Sequence, residues 1–230
     1  MSQHDYKLVA FGRGQPAPAA DLASLHAQLL SHSPVALLGD DFMKRFYYSA
    51  LPQWGLTFGA VAYVDGAPAG FIVATGDSSG FMRAGLRRGW LRLGWTMFVS
   101  LLRHPGRVAA VGEALAIMRG VEQATSPEPV GELLSFGLLP RYRERKFVAT
   151  SRLRISQDLL REAMHGLAAS GVTLSRAIVD ADNLEARMFY LGNGWTPGLG
   201  RVPGWRKHTV EFLWRPRGED ATASPEEARG

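Results

Sequence analysis

An α/β (α+β) domain, a mixed twisted sheet with helices on both faces and a helical insertion, is the fold class this sequence predicts. Three observations predict it. The first half reads strand, helix, helix, hairpin; the second reads strand, helix, strand, helix, strand; and between them lies an arginine-rich stretch with no acidic residue. Strand patterns interleaved with helical ones call for a sheet covered by helices.

Taken in order, Tyr6 to Phe11 reads as a short strand. The segment from Ala17 to Leu30 places Leu22, Leu25, Leu29 and Leu30 at helical spacing, and a second helix spans Asp40 to Leu51. Phe58 to Tyr63 and Ala69 to Ala74 are apolar runs joined through Asp65-Gly66, the dipeptide that favours a tight antiparallel hairpin. Glu132 to Leu139 reads as a buried strand. A basic loop follows, then a helix from Arg154 to Ala169 with Leu159, Leu160, Ala163 and Leu167 inward, a strand from Leu174 to Val179, a short helix, and a last strand from Arg206 to Trp214.

The short helix lies in Val179-Asp-Ala-Asp-Asn-Leu-Glu-Ala-Arg-Met-Phe-Tyr-Leu-Gly-Asn-Gly-Trp195. Asp182 and Glu185 have the spacing of a reciprocal capping box, and Gly192 or Gly194 suits a left-handed stop. Residues three and seven apart share a helix face, so Asn183, Ala186 and Tyr190 present an amide, a gap and a phenol to one neighbour.

The chain has 230 residues, 46% of them hydrophobic, which suits a single domain over 1–215 with an insertion at about 76–129 and a polar, disordered tail over 216–230. It has no cysteine, so thiolate chemistry and disulfides are excluded. Metal-ligand spacing among the histidines is absent. The N-terminus lacks the basic start and apolar core of a secretory leader, and no apolar run reaches the roughly 18 to 20 residues that span a bilayer, so the expected location is cytoplasmic. A net charge of +5, carried by 22 arginines and four lysines, suits an anionic partner. From Gly80 to Arg107 six arginines alternate with an apolar stripe, as in an amphipathic basic helix. Its apolar side suits a lid over the core, a homodimer partner, or the inner face of a membrane, and these stay open. No nucleic-acid-binding module frames it.

The second half resembles the GNAT superfamily of acyl-CoA-dependent N-acetyltransferases. The resemblance rests on Leu138-Leu139-Pro140-Arg141-Tyr142-Arg143 after a strand, and on Asp180-Ala-Asp-Asn183 with Ala186, Phe189-Tyr190 and Gly194-Trp195. It implies acetyl-CoA as acyl donor and an amine as acceptor. The family's Arg-x-x-Gly-x-Gly is missing after Arg143; aligned on the following helix, Arg154-Ile155-Ser156 takes the glycine positions and 146–153 becomes a loop insertion. By resemblance, Arg143, Arg145, Arg152, Arg154, Ile155 and Ser156 hold the phosphates, arginine forks standing in for backbone donors. Asn183 then contacts the pantetheine or phosphate arm and Ala186 leaves room for it, a backbone N–H at Leu138 or Leu139 polarises the thioester carbonyl, Tyr190 is general acid, and Glu132 or a water is general base. The rival expectation is a non-catalytic protein of the same descent, attached to a membrane or a partner through the basic insertion.

Overall fold

A computed structural model describes residues 4–89, 130–201 and 208–216. Seven strands form one sheet: β1 (Tyr6–Phe11), β2 (Phe58–Val64), β3 (Ala67–Thr75), β4 (Gly131–Leu138), β5 (Ser175–Asp180), β6 (Thr196–Arg201) and β7 (Thr209–Trp214), in the order β1-β2-β3-β4-β5-β7-β6. Every neighbouring pair is antiparallel except β4 and β5. The β2–β3 turn forms as the sequence predicts. Asp65 and Gly66 both have positive φ, 52° and 75°, and the Asp65 carboxylate accepts from the Asp5 N–H.

The helices, in chain order, are α1 (Ala19–Leu29), α2 (Pro34–Leu37), α3 (Leu51–Gln53), α4 (Pro140–Arg143), α5 (Arg145–Ser151), α6 (Ile155–Ala169) and α7 (Leu184–Gly192). They cover both faces of the sheet. On one face α6 and α7 bury Leu159, Leu160, Leu167 and Tyr190 against Ala60, Ile72 and Phe212. On the other, α1 and the segment before α3 bury Leu22, Leu25 and Tyr48 against Val61 and Phe71. At about 1.5 to 3 kcal/mol per large apolar side chain, these two layers supply the main driving force for folding.

Three expectations need correction. The helix predicted over Asp40 to Leu51 is π-helical at Phe42–Ala50, the wider turn placing Phe42, Met43, Phe46, Tyr47 and Tyr48 all in the buried layer. Residues 146–153 are not a loop insertion: Arg145–Ser151 is helical, anchored by Phe147 against Tyr142 and His4, and ends on Arg152 at φ 60°. A further strand, β6, precedes β7; its Pro197 is tolerated because the strand is at the sheet edge.

Within the predicted insertion, residues 81–89 are helical, and the rest of the basic amphipathic segment lies outside the described residues, as does the tail beyond 216. Among the described residues no helix is long and apolar enough to cross a membrane.

Candidate active site

The site starts from a break in the sheet. β4 and β5 pair over three residues only, Gly131, Glu132 and Leu133 against Ser175, Arg176 and Ala177, yet β4 runs on to Leu138 and β5 to Asp180. The β3–β4 register supplies the cause. Leu133 faces Ala74 and Ser135 faces Val73, so Leu134 is an extra residue, a bulge placed one position after the last β4–β5 pair. A bulge bends its strand and raises local twist, and β4 therefore turns away from β5 to open a wedge.

The register also decides which backbone groups face that wedge. The Leu139 N–H donates to the Ala69 carbonyl at 2.9 Å, so Leu139 is engaged with β3 and is not free to polarise a carbonyl. This corrects half of the expected pair. Ladder bonds alternate along an antiparallel strand, so with Leu138 opposite Gly70 and Phe136 opposite Ile72, the N–H groups of Leu138 and Phe136 point away from β3 towards the wedge. Phe136 was missed because a backbone donor has no side-chain signature.

Glu132 sits at the closed end of the wedge. It is buried and paired through Oε2 to Arg176 Nε at 2.7 Å, both side chains being almost wholly covered. Burial raises the Glu132 carboxyl above its ordinary value, opposed by the charge and hydrogen bond of Arg176 and reinforced by Glu211. Desolvation thus outweighs a close ion pair, which suits a group that must take up a proton. Beside it, burial raises the Tyr47 phenol, with Ser135 opposing through a hydrogen bond and Glu132 reinforcing.

At the open end, α4, α5 and the start of α6 form one bank and α7 the other. Arg143, Arg145, Arg152 and Arg154 are all exposed on the first bank. Arg154 is the N-cap of α6 and offers no side-chain cap, leaving the first-turn N–H groups beside Ile155 and Ser156 without a side-chain acceptor. Uncapped donors and the positive end of a fifteen-residue helix suit an anion. Ile155 itself is buried, so only its backbone is on offer. Across the wedge, α7 is met from α4 and from β4. Arg143 Nη1 donates to Glu185 Oε2 at 3.1 Å, and below it the rings of Phe136 and Phe189 lie 5.4 Å apart.

On α7 the cap is Asn183 rather than Asp182: its Oδ1 accepts from the Ala186 N–H at 3.0 Å, and Glu185 turns to Arg143 instead of closing a capping box. Both Asp and Asn cap well, so the sequence pattern does not choose between adjacent positions. Ala186 is half-buried. Tyr190 is buried, stacked on Phe212 and edge-on to Trp195, and this burial raises its phenol so that the proton is held through the neutral range.

No family model matches the chain, and a search of curated proteins finds no match. Solved structures do match. An acetyltransferase from Streptococcus agalactiae is 13% identical with TM-score 0.50, covering 94% of this chain and 100% of its own. A structure described as SsHAT is 17% identical with TM-score 0.51 over 93% of this chain and 98% of its own. An agmatine N-acetyltransferase is 16% identical with TM-score 0.52 over 91% of this chain and 99% of its own. The chain has the GNAT fold, with its seven-stranded mixed sheet.

Proposed function

We propose that this protein is an acyl-CoA-dependent N-acyltransferase that moves an acetyl group from coenzyme A to an amine. The observation that carries the reading is the wedge, in which a bulge turns β4 away from β5 and leaves the Phe136 and Leu138 N–H groups facing the gap. Those donors suit the thioester carbonyl, whose oxygen gains negative charge as the amine attacks. Of the two, Phe136 is the nearer to Glu132 along β4, so it is the better placed if Glu132 acts on the amine through ordered waters. A new N–C bond forms, the C–S bond breaks, Glu132 or water receives the amine proton, and Tyr190 donates to the departing sulfur.

Arg143, Arg145, Arg152 and Arg154, with the α6 N-terminus, are the phosphate-holding group in this reading. Asn183 spends its amide oxygen on capping, so its NH2 is the part left for the pantetheine arm. For the acceptor, a small amine, an amino sugar or a lipid-linked precursor are the classes to screen first; one structural neighbour is an agmatine acetyltransferase, acting on a small amine. Attachment to a membrane through Gly80 to Arg107 belongs to the same proposal and is tested by liposome co-sedimentation with and without that segment.

The two contacts across the mouth, Arg143–Glu185 and Phe136–Phe189, favour a second reading, a non-catalytic binding protein of the same fold. One experiment separates them: calorimetric titration with acetyl-CoA against free pantetheine, on wild type and on the Arg152→Ala/Arg154→Ala pair. Saturable binding weakened about tenfold or more in the pair supports the enzyme. Folded wild-type protein that ignores acetyl-CoA selects the second reading.

A further inference from the structure

The two splayed strands leave the sheet at one edge. β4 and β5 are parallel, so α4, which follows β4 and ends at Arg143, lies at the same edge as the start of α7, which follows β5. A bond between these two helices crosses the mouth of the wedge. Arg143 Nη1 and Glu185 Oε2 make one at 3.1 Å, between residues 42 apart in the chain. Four residues further along α7, and so on the same side of it, Phe189 meets Phe136 of β4 with ring centroids 5.4 Å apart. The mouth is thus spanned twice, by an ion pair towards α4 and by a ring contact towards β4.

The capping of α7 is what releases Glu185 for this contact. A glutamate closes a capping box from the third helical position, whereas with Asn183 as cap that position is Ala186, and Glu185 stands one residue too early. Among the described residues its carboxylate has no other hydrogen bond or ion pair. A carboxylate on a guanidinium is also the contact that a phosphate oxygen makes there, charge-assisted and fitted to the same N–H fork. Glu185 therefore already satisfies a cation that the proposed function assigns to phosphate.

We infer that Glu185 is the gate of the wedge: its carboxylate holds Arg143 in place of a phosphate, and a phosphorylated acyl donor enters by taking Arg143 from it. The inference rests on the acyl-CoA reading and adds to it what controls entry. For a donor that brings phosphate the exchange is close to balanced, since Arg143 leaves one anion for another and Glu185, 72% exposed, returns to water. A ligand without phosphate has nothing to offer Arg143 and opens the mouth at the full cost of the pair. Both side chains are well exposed, so the pair shifts a binding equilibrium by no more than about fivefold. That is enough to bias entry and too little to forbid it.

The test is calorimetric and stopped-flow titration of the full chain with acetyl-CoA. The comparisons are wild type, Glu185→Gln, Arg143→Ala, the two combined, and Asp182→Asn, with circular dichroism to verify folding. Asp182 is exposed just before the Asn183 cap and pairs with no described cation, so Asp182→Asn removes the same charge from the same end of α7 without touching Arg143. Glu185→Gln is expected to bind about three- to fivefold more tightly than wild type, and the gain to vanish when Arg143 is also replaced. It falls on the association rate, because the pair exists only in the closed protein. Asp182→Asn is expected to gain about 1.5-fold or less, its charge being screened. A gain that persists without Arg143, or that Asp182→Asn matches, overturns the gate in favour of plain charge repulsion. Unchanged or weaker binding by Glu185→Gln overturns it too, and in each of these cases binding by wild type leaves the acyl-CoA reading standing. If neither wild type nor Glu185→Gln binds, the gate and that reading fall together.

Discussion

Two side chains make opposite uses of burial. Tyr190 is packed by Phe189, Trp195 and Phe212, so its ring holds the core while its hydroxyl is the part proposed for chemistry. Tyr190→Phe keeps the ring, and its expected effect is a melting temperature within a few degrees of wild type with kcat lowered about 10²-fold or more, read from thiol release. An unchanged kcat would remove Tyr190 from the mechanism. His26 is wholly buried, hydrogen-bonded to Tyr48 and, at 2.5 Å, to Ser33, and burial lowers its pKa from 6.5 to about 4. Between those values the unfolded chain binds a proton that the folded one excludes. Stability is therefore full above pH 6.5 and falls as the pH drops towards 4, by about 3 kcal/mol in all from this group. Ring resonances of His26 that stay in the neutral form at pH 5 would bear this out, and a titration near 6.5 would contradict it.

At the scale of elements, α5 and its end carry a prediction of their own. Arg152 closes α5 in the left-handed region at φ 60°, a conformation glycine adopts freely and other L-residues adopt at a cost of about 1 kcal/mol or more. Arg152→Gly is expected to raise stability by up to about 1 kcal/mol and Arg152→Ala not to, in urea unfolding. Both lose the same cation, so acetyl-CoA affinity should fall alike in the two; a difference in affinity would mean that loop conformation, not charge, holds the phosphates. That α5 is a helix was hidden by its composition. Arg145, Lys146 and Thr150 show no apolar stripe, and Phe147 alone anchors it against Tyr142 and His4, contacts that span the sequence. Local signals did much better. The Asp65-Gly66 turn, the inward Leu159, Leu160, Ala163 and Leu167 of α6 and the extent of α7 were all legible because each is written within a few neighbouring residues. The wedge was not, since it depends on Leu134 being unmatched against β3 and on β5 leaving β4, both of them pairings between distant strands. Asn183, Ala186, Tyr190 and the Leu138 or Leu139 N–H could be named from the sequence, while the Phe136 donor and the choice of Leu138 over Leu139 needed the register.

Across the whole molecule, the same three-residue pairing that opens the wedge is the sole β-ladder joining β1 to β4 with β5, β7 and β6 among the described strands. Glu132 and Arg176 are opposite each other on that joint, so the residue proposed as base also carries a buried ion pair between the halves. Loss of activity on replacing Glu132 alone would not separate the two roles. Removing Arg176 alone leaves a buried carboxylate without its partner, and Arg176→Met is expected to cost about 3 to 5 kcal/mol. Replacing both, as Glu132→Leu with Arg176→Met, removes the unpaired charge and should restore most of that loss, since a well-packed apolar pair is often as stable as a buried ionic one. Chemical denaturation of the two single variants and the double variant measures this as a coupling energy of opposite sign to the single costs. The folded double variant then isolates the chemistry: with the fold intact, kcat/KM lowered about 10²-fold or more at neutral pH assigns deprotonation of the amine to Glu132, and partial recovery at higher pH, where more of the acceptor arrives already neutral, would support that assignment. A folded double variant turning over at the wild-type rate would instead give the proton to water and leave the Glu132–Arg176 pair the single task of holding the sheet together where its strands part.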